Sequence, residues 1–178
     1  MPMLDVTIPE NSISPNAESA LLERLTDVLL IHEGADPKNP AARSLAWVFL
    51  HRPESIYVAG ARTSEPRYRV VVSVPEGQFD DARRSAMVGA VTEALLDAEE
   101  GARPRDPMRV WVFTNEIPDG TWGGAGRISR LADIATFVMG DPVKGYAYAQ
   151  KRLAASHAAR QTPVTQTPGA GAEQSSGA

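Results

Sequence analysis

Apolar and polar positions along the first third of the chain first alternate and then recur at helical spacing. Residues 3–8 alternate apolar and polar side chains, which predicts a half-buried strand. Ser14 before Pro15 is typical of a helix N-cap and first turn, and apolar residues then recur at helical spacing until Gly34, where a helix can end. Residues 45–50 form an apolar, aromatic run that predicts a second strand. The order is therefore strand, helix, strand.

The same order of elements returns later in the chain. A strand is predicted over residues 69–74, a helix near residues 80–99 that stops at Gly101, and a strand over residues 109–114. Matching residues recur at nearly one offset, so we interpret the chain as a duplication of a unit of about 65 residues. The matches are Glu10 with Glu76 in two Pro-Glu pairs (76 − 10 = 66), Thr26 with Thr92 (92 − 26 = 66), and Trp47 with Trp111 in two Trp-Val-Phe words (111 − 47 = 64).

Two strand–helix–strand units predict an α/β (α+β) fold with one four-stranded mixed sheet. Each helix joins two parallel strands by a right-handed crossover, which places both helices most naturally on one face of the sheet. The other face keeps apolar residues at alternate strand positions. An uncovered apolar face of that kind exceeds the patch size that monomers tolerate, so we expect an oligomer.

The composition changes near residue 140 and suggests where the folded domain ends. We expect one domain over residues 1–140, made of units at about residues 2–66 and 67–140. The last residues, 161–178, contain almost no large aliphatic side chain. Such a segment buries too little apolar surface to offset its ordering entropy, so we expect a disordered tail.

Residues 141–160 between the domain and the tail predict an accessory helix. Asp141 is a suitable N-cap, Pro142 suits the first helical position, and an Ala-rich run follows. The apolar face of this helix is thin, with Tyr146 and Leu153 as its main members. The helix could dock on the domain or on a neighbouring subunit.

The composition also excludes several kinds of function. The chain has 18 Lys+Arg, 22 Asp+Glu and a net charge of −4, which disfavours binding to nucleic acid or to an anionic membrane. The absence of cysteine excludes disulfides, cysteine-ligated zinc and thiol nucleophiles. No apolar run reaches the roughly 20 residues that span a bilayer, and no signal peptide is visible, so we expect a cytoplasmic protein. The three histidines are far apart, and we expect neither a metal nor a cofactor.

Proline at position 2 is the candidate catalytic residue. Removal of Met1 would leave the ring nitrogen of Pro2 as a secondary amine at the start of a strand. Burial in an apolar pocket disfavours the ammonium form, so the pKa of this amine would fall toward neutrality. Such an amine serves as a general base and, once protonated, as a general acid. A secondary amine can also form an iminium with a carbonyl, which opens decarboxylation.

Pro2, the duplicated plan and the stretch Asn115–Arg127 (NEIPDGTWGGAGR) are together similar to one enzyme family. Over about residues 2–140 the chain resembles the tautomerase superfamily. Its members include 4-oxalocrotonate tautomerase, macrophage migration inhibitory factor, malonate semialdehyde decarboxylase and cis-3-chloroacrylic acid dehalogenase. The segment His51–Pro53 is also similar to the decarboxylase branch. The resemblance implies a homotrimer in which the subunit sheets enclose a barrel.

The resemblance also implies an activity. It indicates a cofactor-independent keto–enol tautomerase that acts on a small enol or α-keto carboxylic acid, with Pro2 as the general base and acid. A decarboxylase of a β-keto or semialdehyde acid on the same fold is the alternative reaction. A catalytically silent trimeric binding protein, in which the accessory helix and the tail recruit a partner, is the alternative from another class. Neither a nucleic acid nor a membrane is an expected partner.

The chain departs from the family pattern at the positions of the family's arginines. Tautomerases commonly carry an arginine just after the first strand of a unit, where this chain has Ser12 and Gln78. The arginine pair of cis-3-chloroacrylic acid dehalogenase falls at Pro75 and Gln78, and the acidic residue that activates water there falls near Gly124. We therefore expect neither hydrolytic dehalogenation nor the usual mode of dicarboxylate binding.

Four residues are candidates for substrate binding. Arg43, before the second strand, and Arg127, after the Gly-rich turn, could replace the missing cations. Trp122 and Phe113 match aromatic positions around the proline pocket of the family. Each candidate has an alternative interpretation, because the arginines could be solvated surface residues and the aromatic side chains could serve packing. Residues 120–126, which contain Trp122, predict a tight hairpin rather than a nucleotide-binding loop.

Overall fold

A computed structural model describes residues 2–161 and shows one four-stranded sheet, two short hairpins and five α-helices. The strands are β1 (Met3–Thr7), β2 (Trp47–His51), β3 (Tyr57–Val58), β4 (Ala61–Arg62), β5 (Tyr68–Pro75), β6 (Val110–Ile117), β7 (Gly123–Gly124) and β8 (Arg127–Ile128). The helices are α1 (Pro15–Glu33), α2 (Pro40–Leu45), α3 (Asp81–Ala98), α4 (Leu131–Met139) and α5 (Pro142–Gln161), and a 3₁₀ turn covers Pro107–Arg109.

The main sheet has the strand order β2-β1-β5-β6. β1 runs parallel to β2, with Met3 opposite Trp47, and β5 runs parallel to β6, with Arg69 opposite Trp111. β1 and β5 are antiparallel to each other and join the two pairs. Each predicted unit therefore supplies one parallel pair, and the predicted four-stranded mixed sheet is confirmed.

Helices α1 and α3 pack on one face of this sheet and form the core with it. The side chain of Ser14 accepts a hydrogen bond from the backbone N–H of Ala17, and α1 ends at Gly34 with a φ of 94°, which glycine adopts easily. Asp80 caps α3 in the same way as Ser14 caps α1. The two predicted helices are thus confirmed. The strand residues of the core include Leu4, Val6, Val70, Val72 and Val74, and the helical ones include Leu21, Leu25, Leu29, Met87, Val91 and Leu95.

The opposite face of the sheet carries exposed aromatic side chains on both edge strands. Trp47 and Trp111 are 62% and 64% exposed. Each stands edge-to-face with a phenylalanine on its own strand, and the ring centroids of Trp47 and Phe49 are 6.2 Å apart while those of Trp111 and Phe113 are 6.5 Å apart. The predicted apolar face is therefore present and uncovered in the single chain.

The second strand begins two residues later than the sequence predicts. The side chain of Asn39 accepts hydrogen bonds from the backbone N–H groups of Ala41 and Ala42, and Pro40 occupies the first turn. These residues form α2, which ends at Leu45 and delays β2. A short capped helix of this kind has too few apolar positions to be recognised by spacing.

The C-terminal part adds two helices, of which only the second was predicted. The predicted hairpin is formed by β7 and β8, and α4 follows it. Helix α5 packs on α4, so of the two docking options the structure shows docking on the same chain. Tyr146, a member of the expected apolar face, is 60% exposed, and the helix is buried through Gly145 and Ala149 instead. The expected tail falls almost entirely on residues 162–178, which lie outside the described residues.

Candidate functional site

Pro2 is buried at the start of β1 and lines a pocket at that end of the sheet. Its carbonyl oxygen accepts a hydrogen bond from the backbone N–H of Trp47 at 3.2 Å, which ties the start of β1 to β2. The pocket is small, with a cavity volume of about 70 Å³, and it opens to solvent. Apolar side chains of α2 and α4, such as Leu45 and Ile134, form most of its wall. Such a wall disfavours a charged amine at this position.

Three polar side chains line the same pocket. They are Glu33 at the end of α1, Gln78 in the turn after β5, and Tyr148 on α5. The hydroxyl of Tyr148 donates a hydrogen bond to Oε1 of Gln78 at 2.7 Å. The backbone carbonyl of Gln78 accepts hydrogen bonds from Arg152 at 2.8 Å and from Arg83 at 3.1 Å. Gln78 is therefore held from both α3 and α5.

Glu33 is a buried carboxyl group in this pocket. Burial raises the pKa of Glu33 to about 7, and the positive charge of the chain's N-terminal amine acts in the opposite direction. No side chain within residues 2–161 forms an ion pair or a hydrogen bond with this carboxyl group. Arg83 on α3 reaches only the backbone carbonyl of Glu33, at 3.5 Å. A carboxyl group of this kind can gain or lose a proton near neutral pH.

The second unit contains a counterpart of this site at the other end of the sheet. The offset of 66 makes Tyr68 the counterpart of Pro2 (2 + 66 = 68). It also makes Glu99 the counterpart of Glu33 (33 + 66 = 99). Glu99 accepts a hydrogen bond from the hydroxyl of Tyr68 at 2.8 Å and one from Nη2 of Arg109 at 2.7 Å. Burial acts to raise the pKa of Glu99, but the hydrogen bonds from Arg109 and Tyr68 outweigh it and lower the pKa.

One difference in sequence explains why the two glutamates differ. Trp47 and Trp111 occupy equivalent positions in the parallel strand pairs, so the residues two places before them are also equivalent. These residues are Leu45 in the first unit and Arg109 in the second. Arg109 neutralises Glu99, whereas Leu45 forms part of the apolar wall of the Pro2 pocket. The second site is therefore a closed ion pair, and the first is an open pocket.

The four predicted substrate-binding residues lie elsewhere in the chain. Arg43 donates hydrogen bonds to Asp27 at 2.5 Å and to the carbonyl of Pro37 at 3.0 Å. Arg127 is exposed on β8, Trp122 lies in the loop before β7, and Phe113 is on the exposed face of the sheet. The structure brings none of these four side chains into the Pro2 pocket of the same chain.

The two positions where the family carries an arginine have different surroundings. Ser12 is buried, and its hydroxyl donates a hydrogen bond to the carbonyl of Pro9 at 2.7 Å. Gln78 lines the pocket and replaces a cation with a neutral amide. The guanidinium groups of Arg83 and Arg152 donate hydrogen bonds to the backbone carbonyl of Gln78 rather than to this amide.

Glu33 and Tyr148 are site residues that the sequence interpretation missed. The signal for Glu33 was present in the offset of 66, which pairs it with a second glutamate at Glu99. No sequence signal places Tyr148 at the pocket, since α5 docks through the small residues Gly145 and Ala149. Within residues 2–161, no three acidic or histidine side chains converge in the way that a metal ion requires.

Comparisons with solved structures show which proteins share the fold of this chain. A fused 4-OT in a symmetric trimer is 23% identical, with a TM-score of 0.58 over 71% of this chain and 94% of that chain. Pt0534 inactivated by 2-oxo-3-pentynoate is 24% identical, with a TM-score of 0.58 over the same shares, 71% and 94%. N1, a member of the cis-3-chloroacrylic acid dehalogenase family, is 17% identical, with a TM-score of 0.59 over 88% of this chain and 99% of that chain. The chain shares the fold of these three structures.

The fold that the resemblance implied is therefore confirmed. The fused 4-OT match also fits two units in one chain. Neither a family model nor a curated protein matches the sequence. In the part of the chain that the structure covers, no helix is both long and apolar enough to cross a bilayer.

Proposed function

We propose that the protein is a keto–enol tautomerase of a small enol or α-keto carboxylic acid, with the amine of Pro2 as general base and acid. The observation that carries this proposal is the burial of Pro2 in an apolar pocket at the rigid start of β1. Because the wall of that pocket disfavours the ammonium form, the pKa of a free amine there would lie below its value in water. An amine in this state accepts a proton from the enol hydroxyl and returns one to carbon.

The structural neighbours support this proposal. A fused 4-OT and a member of the cis-3-chloroacrylic acid dehalogenase family share the fold, and Pt0534 is inactivated by 2-oxo-3-pentynoate. An acetylenic ketone acid of this type has an electrophilic carbon that an uncharged amine can attack. The same compound therefore serves as a probe for a reactive Pro2 in this chain.

The first experiment compares the wild type with Pro2→Ala. Mass spectrometry of the purified protein should show loss of Met1, since a retained Met1 would leave the Pro2 nitrogen as an amide without basic character. An ultraviolet assay should show ketonisation of phenylenolpyruvate or 2-hydroxymuconate by the wild type. Pro2→Ala should lower kcat by about 100-fold or more, because it removes the ring amine. Equal activity of the two proteins would contradict the role of Pro2.

The inactivation experiment separates the proposed activity from its alternatives. Incubation with 2-oxo-3-pentynoate should place one adduct on the N-terminal peptide of the wild type and none on that of Pro2→Ala. An adduct without turnover of either enol, but with release of CO2 from a β-keto acid, would identify the decarboxylase alternative. No adduct and no turnover would favour the silent binding protein.

We also propose that the active protein is a homotrimer. The exposed pairs Trp47–Phe49 and Trp111–Phe113 lie on the sheet face that the helices leave free, at both edges of the sheet. Covering them removes apolar surface from water, which stabilises an assembly. Since Arg127, Trp122 and Phe113 lie outside the pocket of their own chain, their proposed contact with substrate requires a neighbouring subunit. Contact of Arg43 with substrate would require Arg43 to leave its ion pair with Asp27.

A further inference from the structure

We propose that Glu33 is a second catalytic acid–base residue of the Pro2 site and exchanges protons with the Pro2 amine during each turnover. This inference rests on the proposed function, because it assigns a partner to the same amine. Both residues line one pocket, whose remaining wall is mostly apolar. Because Glu33 and Pro2 border the same small space, we place Glu33 in contact with an enol bound next to Pro2.

The duplicated structure supplies an internal comparison for this role. Glu99 occupies the equivalent position in the second unit and is held by Arg109 and Tyr68, so it stays ionised and serves stability. Glu33 lacks the equivalent arginine because Leu45 stands in its place. A buried carboxyl group without such a partner costs free energy when it ionises, so a purely structural role does not explain it. The site that kept the open carboxyl group is the site that holds Pro2.

The proton balance of the step is simple. The uncharged Pro2 amine takes the proton from the enol hydroxyl, and the neutral Glu33 carboxyl group gives its proton to the substrate carbon. The hydroxyl O–H bond breaks, a C–H bond forms, and the enol becomes the keto form. The resulting ammonium of Pro2 then gives its proton to the Glu33 carboxylate, which restores both groups. Pro2 therefore acts as the acid through Glu33, and the proton that it took reaches carbon in the next turnover. No oxidant, metal or other reactant is needed.

The groups around Glu33 are compatible with this exchange. The charged or titratable groups that face it are the N-terminal amine, Arg83 on α3 and Tyr148 on α5. Arg83 donates to the backbone carbonyls of Glu33 and Gln78, and Arg152 on α5 donates to Gln78, so neither guanidinium neutralises the carboxyl group. Burial raises the pKa of Tyr148, so its hydroxyl stays neutral when Glu33 titrates.

The test compares Glu33→Gln with Glu23→Gln. Glu23 is an exposed residue of the same helix, and its substitution makes the same change in charge and shape away from the pocket. Glu33→Gln should lower kcat for the enol that the wild type turns over by about 100-fold, with a smaller change in KM. Glu23→Gln should keep the wild-type kcat and KM. Glu33→Gln should also remove one limb of the pH profile of kcat.

A second measurement does not depend on turnover. The rate at which 2-oxo-3-pentynoate modifies Pro2 should follow the uncharged fraction of the amine. Loss of a neighbouring negative charge lowers the pKa of an amine, so the midpoint of this rate in Glu33→Gln should move down by about one pH unit or more. Glu23→Gln should leave the midpoint where it is in the wild type.

The outcomes separate this inference from the proposed function. If Pro2→Ala abolishes turnover while Glu33→Gln keeps kcat and the alkylation midpoint, the role of Glu33 is overturned and that of Pro2 stands. If the wild type turns over neither enol and its Pro2 is not modified, the proposed function fails. The remaining case is a protein whose Pro2 is modified although no enol is turned over. There, an unchanged pH midpoint of the modification rate in Glu33→Gln overturns the proton exchange between Glu33 and Pro2, and a lowered midpoint supports it.

Discussion

At the scale of single residues, the two equivalent glutamates show how one neighbour decides the state of a buried carboxyl group. Glu99 has Arg109 and Tyr68 as partners, and its pKa is lowered. Glu33 has the apolar Leu45 at the equivalent place, and burial raises its pKa to about 7. Since the two groups have equivalent positions in one fold, this difference comes from the local partners rather than from the backbone.

We predict opposite effects on stability when each glutamate is replaced by glutamine. A folded-state pKa above the unfolded value means that the folded state binds a proton more tightly, so stability falls as the pH rises from about 4.5 through about 7. Above that range, ionised Glu33 lowers the free energy of unfolding by about 3 kcal/mol, and Glu33→Gln should recover most of it. Glu99→Gln should instead lower the free energy of unfolding by about 3 kcal/mol, because Arg109 stays buried without a counter-charge.

Urea unfolding at pH 5 and pH 8 measures these changes. The gain from Glu33→Gln should be present at pH 8 and nearly absent at pH 5, where the wild-type carboxyl group is already protonated in the folded state. The loss from Glu99→Gln should be present at both pH values. A Glu33→Gln protein that is less stable than the wild type at pH 8 would show that Glu33 has a stabilising partner in its ionised form.

At the scale of elements, α5 turns an open sheet end into a pocket. Gly145 allows α5 to approach α4 closely, because a Cβ atom there would lie 2.5 Å from the backbone N of Thr136. Tyr148 and Arg152 on α5 then hold Gln78, and Arg160 at the end of the helix pairs with buried Glu76 at 3.0 Å. The accessory helix is therefore part of the site.

We predict that Gly145→Ala separates α5 from the domain, whereas Gly89→Ala does not. Gly89 is a helical glycine of α3, and a Cβ there would meet no atom within 4 Å apart from the adjacent backbone of its own helix, so Gly89→Ala should raise stability by up to about 1 kcal/mol. Gly145→Ala should lower stability and raise KM for the enol, since Tyr148 moves away from the pocket. Hydrogen exchange in α5 and the steady-state assay check both variants, and unchanged protection of α5 in Gly145→Ala would contradict the packing argument.

At the scale of the whole molecule, the free face of the sheet is the main unsatisfied surface. α1 and α3 cover one face, and the tryptophans of β2 and β6 stand on the other. The same aromatic pair, a tryptophan with a phenylalanine two residues later, occurs on both edge strands, β2 and β6. A closed symmetric assembly could therefore cover both pairs through one repeated subunit interface. The proposed trimer satisfies this condition.

We predict that the purified protein has a mass of three times 19.1 kDa in sedimentation or light-scattering experiments. Trp111→Glu should lower this mass, because it places a charge on the face that the trimer buries. Val143→Glu is the control, since Val143 is an exposed apolar residue on α5, away from the free face of the sheet. A wild type that is monomeric at all concentrations, or a Trp111→Glu variant that stays trimeric, would contradict the proposed interface.

The sequence by itself determined the repeated strand–helix–strand units, the caps of α1 and α3, and the mixed sheet with a free apolar face. These features depend on local periodicity and on residues close together in the chain. The position of Pro2 at the start of β1 follows from the same pattern. The offset of 66 between the two units can also be obtained from the sequence, and it makes Glu33 and Glu99 equivalent positions.

Only the tertiary structure decided what surrounds Pro2. The wall of the pocket comes from α2, α4 and α5, and its polar groups Glu33, Gln78 and Tyr148 are far apart in sequence. Helix α4 had signals that the sequence interpretation missed, since Leu131, Ile134 and Ala135 recur at helical spacing and Gly140 follows its last residue. Helix α5 docks through glycine and alanine, whose small side chains carry little pattern. The state of Glu33 depends on the absence of an arginine that its counterpart has. Burial and partner choice are properties of packing between distant segments, and periodicity along the chain does not encode them.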